Sequence, residues 1–159
     1  MEDINDIQNL NVVSEGKQYI VVRLENEQYG IDIKYVDNIV RQQRITRIPS
    51  AQHYFKGVIN LRGEVIPVMS LRLKFGLEPD EYTNATRIII IKPESQAAIG
   101  IIVDEVKEVV TLSPDEIEKP TTADNNDVQV QYLSGIGKQK DGLITLLNIS
   151  SVINEKESA

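Results

Sequence analysis

The sequence has no cysteine and no tryptophan among its 159 residues, and only two phenylalanines and one histidine. The missing cysteines exclude disulfide bonds and thiolate metal sites, and they favour a reducing, cytoplasmic location. The single histidine, His53, has no second histidine with which to complete a metal site. Isoleucine, valine and leucine must therefore supply most of the core, and the β-branched members of this set favour strands.

Long apolar runs and an excess of positive charge are also missing. The longest apolar stretch, Ile88–Ile91, is far shorter than a membrane span and predicts a buried strand. The formal net charge of −7 disfavours nucleic acid and anionic lipid as partners. We therefore expect protein partners, no nucleic acid and no direct membrane insertion. Residues 1–16 are polar and acidic without the apolar run of a signal peptide, and they predict a flexible N-terminal tail.

Short alternating segments separated by turn residues predict four β-hairpins. The predicted pairs are Gln18–Leu24 with Gln28–Ile33, Gly57–Leu61 with Val65–Met69, Thr86–Lys92 with Ala97–Val103, and Tyr132–Ile136 with Leu143–Leu147. Short helices are predicted after the capping residues Ser70 and Asn148, and a third from Ser50 to Tyr54.

Two stretches of the first half recur in the second half. The apolar positions of Gly30–Val40 match those of Gly100–Val110 at an offset of 70, and Val65–Leu71 matches Leu143–Ile149 at an offset of 78. The repeat units are about 28–76 and 98–153. Two copies of about five short strands each predict an all-β fold of two five-stranded barrels or sandwiches, packed face to face, with short helices at their ends. The groove between the copies is the predicted ligand site.

The sequence contains no constellation that predicts catalysis. A serine nucleophile would depend on His53, and no Gly-x-Ser-x-Gly elbow is present. Gly135–Lys138 lacks the spacing of a phosphate-binding loop, and Asp124–Asp127 lacks that of a calcium-binding loop. The acidic pairs Asp104–Glu105 and Asp115–Glu116 are interpreted as a solvated acidic face. We expect no enzymatic activity, no metal and no cofactor.

One basic concentration keeps a rival hypothesis open, namely an oligonucleotide-binding barrel. It consists of Arg41, Arg44, Arg47 and Arg62. This rival predicts salt-sensitive binding through these arginines, whereas its nearby rings are limited to Tyr54 and Phe55.

The segment Gly57–Val68 resembles the signature hairpin of CheW-like domains. Further segments match the family in order, and the resemblance runs from about residue 17 to residue 153, leaving 1–16 and 154–159 as tails. These segments are Tyr29–Ile33, Thr46–Pro49, Gly100–Asp104 and Leu133–Gly137.

The resemblance implies two intertwined SH3-like five-stranded barrels and a scaffold role in bacterial chemotaxis without catalysis or cofactor. It further implies two protein partners, the regulatory domain of the histidine kinase CheA and the helical hairpin tip of a methyl-accepting chemotaxis receptor. The chain would then be a cytoplasmic adaptor recruited to receptor arrays at the inner face of the membrane. A groove between the barrels would hold the receptor tip.

By matching motifs, the resemblance places Arg62, Gly63, Val36 and Asn38 near the receptor or kinase contact. Arg62 is the strongest candidate, because a long charged side chain at a hairpin end must either pair locally or reach a partner. The alternative for Val36 is that it packs in the core, and the alternative for Gly63 is that it serves only to allow the turn. Position 38 often carries glutamate in the family, so a salt bridge to the hairpin arginine does not transfer to Asn38. Position 70 commonly carries aspartate in the family, and here Ser70 takes its place as the cap of the helix.

Overall fold

The computed structural model describes residues 16–49, 51–94, 97–119 and 128–154. Most of the two predicted tails and the loop Asp124–Asp127 lie outside these described residues. The described part forms eleven strands and two short α-helices, with 3-10 turns at Ile33–Tyr35, Pro114–Glu116 and Val128–Tyr132. The strands are β1 Lys17–Leu24, β2 Glu27–Asp32, β3 Val36–Arg41, β4 Phe55–Leu61, β5 Glu64–Ser70, β6 Arg87–Ile91, β7 Ile99–Val103, β8 Glu105–Leu112, β9 Ile117–Glu118, β10 Leu133–Gln139 and β11 Gly142–Leu147. The helices are α1 Leu71–Lys74 and α2 Ile149–Ile153.

All four predicted hairpins are present as antiparallel pairs, β1–β2, β4–β5, β6–β7 and β10–β11. Both capped helices also begin where expected. The Ser70 hydroxyl accepts a hydrogen bond from the Leu73 N–H, and the Asn148 side chain accepts one from the Ser151 N–H. Each cap satisfies one backbone donor that the first helical turn leaves unpaired.

The predicted helix from Ser50 to Tyr54 is wrong over its described residues, 51–54. The Phe55 N–H donates to the Gln52 carbonyl at 2.9 Å, which closes a turn, and the Tyr54 carbonyl accepts from the Ser70 N–H at 2.8 Å. The backbone of Tyr54 is thus used to join the start of β4 to the end of β5, and this long-range bond competes with a local helix.

The strands form two sheets with the same internal order. The six-stranded sheet runs β8-β1-β2-β11-β10-β9, and the five-stranded sheet runs β3-β6-β7-β5-β4. Each sheet has one parallel pair, in which Gly30 lies beside Leu146 and Gly100 lies beside Val68. These pairs are related by the offsets of 70 and 78, so the all-β fold of two duplicated units is confirmed. The sixth strand, β9, has two residues.

The strands of each repeat are divided between the two sheets. Strand β2 of the first repeat lies in the six-stranded sheet, whereas β3, β4 and β5 lie in the five-stranded sheet. In the second repeat, β7 lies in the five-stranded sheet, whereas β8, β10 and β11 lie in the six-stranded sheet. Neither sheet is therefore built from one repeat alone.

The core consists of three clusters of buried apolar side chains. The largest lies between the sheets and includes alternate residues of β1 and β6, while the residues between them join a smaller cluster on the opposite face of each sheet. In β6, for example, Ile89 and Ile91 join the large cluster and Ile88 and Ile90 join a smaller one. Burial on both faces explains why this strand is an unbroken apolar run. Each such side chain contributes about 1.5–3 kcal/mol.

No helix within the described ranges has both the length and the apolar character needed to cross a membrane.

Candidate partner-binding surface

The β4–β5 turn presents Arg62 at its tip. Arg62 and Gly63 both adopt left-handed backbone conformations, with φ of +57° and +85°. Two positive φ values give a turn whose twist matches that of the flanking strands. The Asn60 side-chain carbonyl accepts a hydrogen bond from the Gly63 N–H at 3.0 Å and fixes the turn. Arg62 is exposed and makes no ion pair with any described residue.

Val36 and Asn38 lie at the start of β3, on either side of an irregularity in its pairing with β6. Val36 is half-buried and packs against the largest core cluster, so part of its role is structural. Asn38 is also half-buried, and its side-chain oxygen accepts a hydrogen bond from the Ile39 N–H at 2.9 Å. This bond orients the Asn38 amide, and the neighbouring Ile39 is 37% exposed.

A depression of about 90 Å³ brings Asn38 and Arg62 together. Glu64 and Lys92 also line it, and its floor is formed by apolar residues such as Ile66 and Ile90. Val36 and Gly63 adjoin the depression in sequence but do not line it. The volume is below the roughly 300 Å³ of a typical small-molecule site, so the depression is better suited to receive a side chain of a partner.

Exposed apolar side chains flank this depression and recur at equivalent positions of the second repeat. Ile39 follows Asn38, and Val65, which is 63% exposed, lies between two residues of the depression. Their counterparts at offsets 70 and 78 are Val109, at 50% exposed, and Leu143, at 61%. Exposed apolar groups among polar ones are typical of protein contact surfaces. The two repeats thus carry exposed apolar side chains at equivalent positions.

A buried ion cluster at Asp104 is a feature that the sequence analysis missed. Arg72 donates to both Asp104 carboxylate oxygens, at 2.9 Å and 2.6 Å, and the Glu25 N–H donates to Asp104 at 2.8 Å. Arg23 lies 3.7 Å from the same carboxylate. The interpretation of Asp104 as part of a solvated acidic face is therefore wrong, because the residue is buried and paired.

The electrostatics of Asp104 are set by these partners. Burial alone would raise the pKa of Asp104, but the hydrogen bonds from Arg72 and Glu25 and the charges of Arg72 and Arg23 outweigh it and lower the pKa. The cluster ties α1, the β1–β2 turn and the β7–β8 junction together. Its one sequence signal is an aspartate directly after an apolar strand, and the equivalent position in the first repeat is Lys34, which gives no hint of the pairing.

The neighbouring carboxylate of Asp80 is in the opposite situation. Its Oδ1 accepts a hydrogen bond from the Ser70 hydroxyl at 2.5 Å, while its Oδ2 is buried without a partner among the described residues. Burial raises the pKa of Asp80, against the lowering effect of the Ser70 hydrogen bond and of the Arg72 and Lys56 charges. Burial of this kind makes the charged form of a carboxyl less favourable than it is in water.

Among the described residues, the two rings named for the rival hypothesis, Tyr54 and Phe55, are buried and half-buried and so offer little surface for stacking. Arg41, Arg44 and Arg47 are exposed, but Tyr54 is only 9% exposed and its ring is flanked by those of His53 and Phe55. Binding of single-stranded nucleic acid usually needs exposed rings beside the basic groups. Within the described ranges, no group of three or more potential metal ligands occurs.

The fold and surface define a class of protein, a duplicated two-sheet β protein with exposed apolar contact surfaces around a charged hairpin. The family model of the CheW-like domain matches residues 18–157. The chain belongs to the CheW-like domain family.

Its relatives agree with this assignment. The chemotaxis protein CheW of Bacillus subtilis is 35% identical over 146 residues, which cover 92% of each chain. That of Klebsiella aerogenes is 33% identical over 144 residues, covering 91% of this chain and 86% of the relative. The crystal structure of the scaffolding protein CheW from Thermoanaerobacter tengcongensis matches with a TM-score of 0.80 and 32% identity, covering 89% of this chain and 90% of the other.

These names confirm the prediction of a non-enzymatic adaptor in chemotaxis signalling. They are names of chemotaxis and scaffolding proteins. The individual contact residues Arg62, Gly63, Val36 and Asn38 stay predictions.

Proposed function

We propose that this chain couples methyl-accepting chemotaxis receptors to the histidine kinase CheA. In this proposal the surface around Arg62 and Asn38 contacts the regulatory domain of the kinase, and a groove between the two halves receives the receptor hairpin tip. The chain acts in the cytoplasm and is recruited to receptor arrays at the inner face of the membrane. The observation that carries the kinase contact is the depression that joins Asn38 and Arg62 beside the exposed Ile39 and Val65.

The physical argument starts from Arg62. Its guanidinium has five donors and no ion pair among the described residues, so a partner carboxylate or carbonyl can bind it without breaking an existing bond. The adjoining exposed apolar residues would lose water on contact, and burial of their surface favours association. A charged anchor beside an apolar contact resembles the arginine-rich centres of protein interfaces.

The receptor contact rests on the family resemblance and on the shape of the fold. An amphipathic helix binds by placing its apolar stripe in a groove, and the meeting of two packed sheets is a common place for such a groove. A receptor that binds two conformations of the assembly with different affinity would shift the kinase between them.

The test is co-sedimentation of purified protein with receptor-containing membranes and CheA, using Arg62→Ala. The matched control is Lys140→Ala, because Lys140 occupies the equivalent hairpin position at the offset of 78. We expect Arg62→Ala to weaken recruitment of the kinase by about tenfold or more, which corresponds to about 1.4 kcal/mol or more. Lys140→Ala should leave this contact unchanged.

A second variant separates binding from stability. Because Arg62 has φ of +57°, Arg62→Gly relieves a strain of about 1 kcal/mol and should make the protein more stable while still removing the side chain. Weakened recruitment by this stabilised variant supports the kinase contact. Unchanged kinase recruitment with both Arg62 variants would show that the surface around Arg62 does not contact the kinase, and failure of the wild-type chain to bring down either partner would overturn the coupling role.

A further inference from the structure

A trough on the six-stranded sheet lies apart from the proposed partner surface. It consists of two adjoining cavities of about 370 Å³ and 200 Å³, which share Lys17, Tyr19 and Ser134 as lining residues. The floor of the larger cavity is apolar and includes Leu112 and Leu146. Its size matches that of a binding site for a peptide-sized group.

The rims of the trough carry positive charge in a chain whose net charge is −7. Lys17 and Lys119 line the larger cavity, and Lys17 and Lys34 line the smaller one. All three lysines are exposed, and none makes an ion pair with a described residue. Asp32 also lines the smaller cavity, where its carboxylate accepts a hydrogen bond from the Lys34 N–H. The charges favour an acidic occupant.

The chain itself supplies an acidic segment that must start at this trough. Lys17 is the first residue of β1 and pairs with Leu112, and both line the larger cavity. Gly16 is packed so closely that a Cβ at this position would lie 2.9 Å from the Thr111 side chain. Residues 1–15 are therefore attached to the described part of the chain next to the trough.

The composition of residues 1–15 is complementary to the trough. The segment has four acidic residues and no lysine or arginine, and apolar residues recur at every third position. The acidic residues are Glu2, Asp3, Asp6 and Glu15, and the recurring apolar residues are Ile4, Ile7, Leu10 and Val13. Fifteen extended residues reach up to about 50 Å, so length does not limit access to either cavity.

We propose that residues 1–15 bind in the trough of their own chain. Their apolar side chains pack on the floor at Tyr19, Leu112 and Leu146, and their carboxylates approach Lys17 and Lys119. This intramolecular site goes beyond the proposed adaptor function, because it lies on the six-stranded sheet, whereas the Arg62 hairpin belongs to the five-stranded sheet.

The absence of cysteine makes a direct test possible in the full-length protein. A single introduced cysteine, Asn9→Cys, carries a nitroxide spin label, and paramagnetic broadening of amide NMR signals reports which residues lie near it. We expect the amides of Leu112 and Ser134 to lose most of their intensity, while those of the Arg62 turn keep theirs.

Charge reversal and mixing experiments supply the controls. The pair Lys17→Glu and Lys119→Glu should abolish the local broadening, whereas Lys107→Glu and Lys140→Glu, which change the net charge equally away from the trough, should preserve it. A well-dispersed spectrum of each variant shows that the fold is retained. Broadening spread evenly over the protein, or insensitive to the trough lysines, would overturn the proposal. Local broadening of an unlabelled copy mixed with a spin-labelled one would also overturn it, because the segment would then bind a second molecule.

Discussion

Removal of the Asp104 carboxylate tests whether the buried ion cluster holds the two halves together. In Asp104→Ala the Arg72 guanidinium loses both of its short bonds and the Glu25 N–H loses its acceptor. Only 9% of the Asp104 side chain and 12% of the Arg72 side chain are exposed, so water replaces these bonds poorly. Breaking a buried pair by removing one partner costs about 3–5 kcal/mol. Arg72 keeps the Glu25 carboxylate as a partner at 3.6 Å. We therefore expect Asp104→Ala to lower the free energy of unfolding by an amount at the lower end of this range, about 3 kcal/mol.

The adjacent residue provides a matched control. Glu105 pairs with Arg23 at 2.8 Å, but the two side chains are 39% and 36% exposed. Glu105→Gln should therefore cost less than about 1 kcal/mol. Urea unfolding of the two variants and the wild type, with unchanged m-values, gives the comparison. Equal losses for the two variants, or a loss below about 1 kcal/mol for Asp104→Ala, would refute the reasoning from burial.

The pH dependence of the Asp104 contribution has a defined sign. Because the pKa of Asp104 is lowered on folding, its stabilising contribution is fully present above the ordinary aspartate pKa of about 3.9. The contribution is lost as the pH falls from there through the lower folded pKa. The difference in unfolding free energy between wild type and Asp104→Asn should thus stay constant from neutral pH to about pH 5 and shrink in stronger acid.

Two further predictions concern other parts of the fold. Burial raises the pKa of Asp80, so the folded state takes up a proton at a higher pH than the unfolded state does. The unfolding free energy of the wild type relative to Asp80→Asn should therefore rise as the pH is lowered from neutral. Urea titrations across pH measure this difference, and an opposite slope would contradict the prediction. Gly57→Ala should cost about 2 kcal/mol or more, since a Cβ there would meet the Thr46 carbonyl oxygen and φ is +141°. Gly63→Ala, with φ of +85° but open space around it, should cost about 1 kcal/mol, and similar thermal stabilities for both variants would contradict the steric argument.

The local elements of the fold were predictable because their causes are local. Alternating apolar residues and short turns fix the hairpins, and Ser70 and Asn148 fix the helix starts through bonds to residues three positions later. The helix predicted at residues 50–54 failed because the Tyr54 carbonyl bonds to Ser70 across the sheet. Asp104 was misjudged for a related reason. Its partner Arg72 is 32 residues away, and nothing in the neighbourhood of Asp104 in the sequence signals it.

The candidate surface was predictable only through the family resemblance. The hairpin glycine follows from turn chemistry, but the approach of Asn38 to Arg62 depends on which strand occupies the edge beside β6. A strand pattern defines its two faces and says little about its lateral neighbour. The resemblance supplied the residues, and the tertiary fold supplied the depression between them.

The division of each repeat between the two sheets also determines how a partner contact can act on the whole chain. The depression at Arg62 is lined by β3 and the β4–β5 hairpin of the first repeat, by Ile90 of β6, and by Ala98 at the start of the second repeat. A partner that binds there therefore contacts both repeats at once. Strand β3 lies in the five-stranded sheet, whereas β2 directly before it belongs to the six-stranded sheet, so a shift of β3 on binding acts on both sheets. In two independent units, a structural change caused by binding to one unit would stay within the packed core of that unit. In intertwined units the same change reaches both sheets.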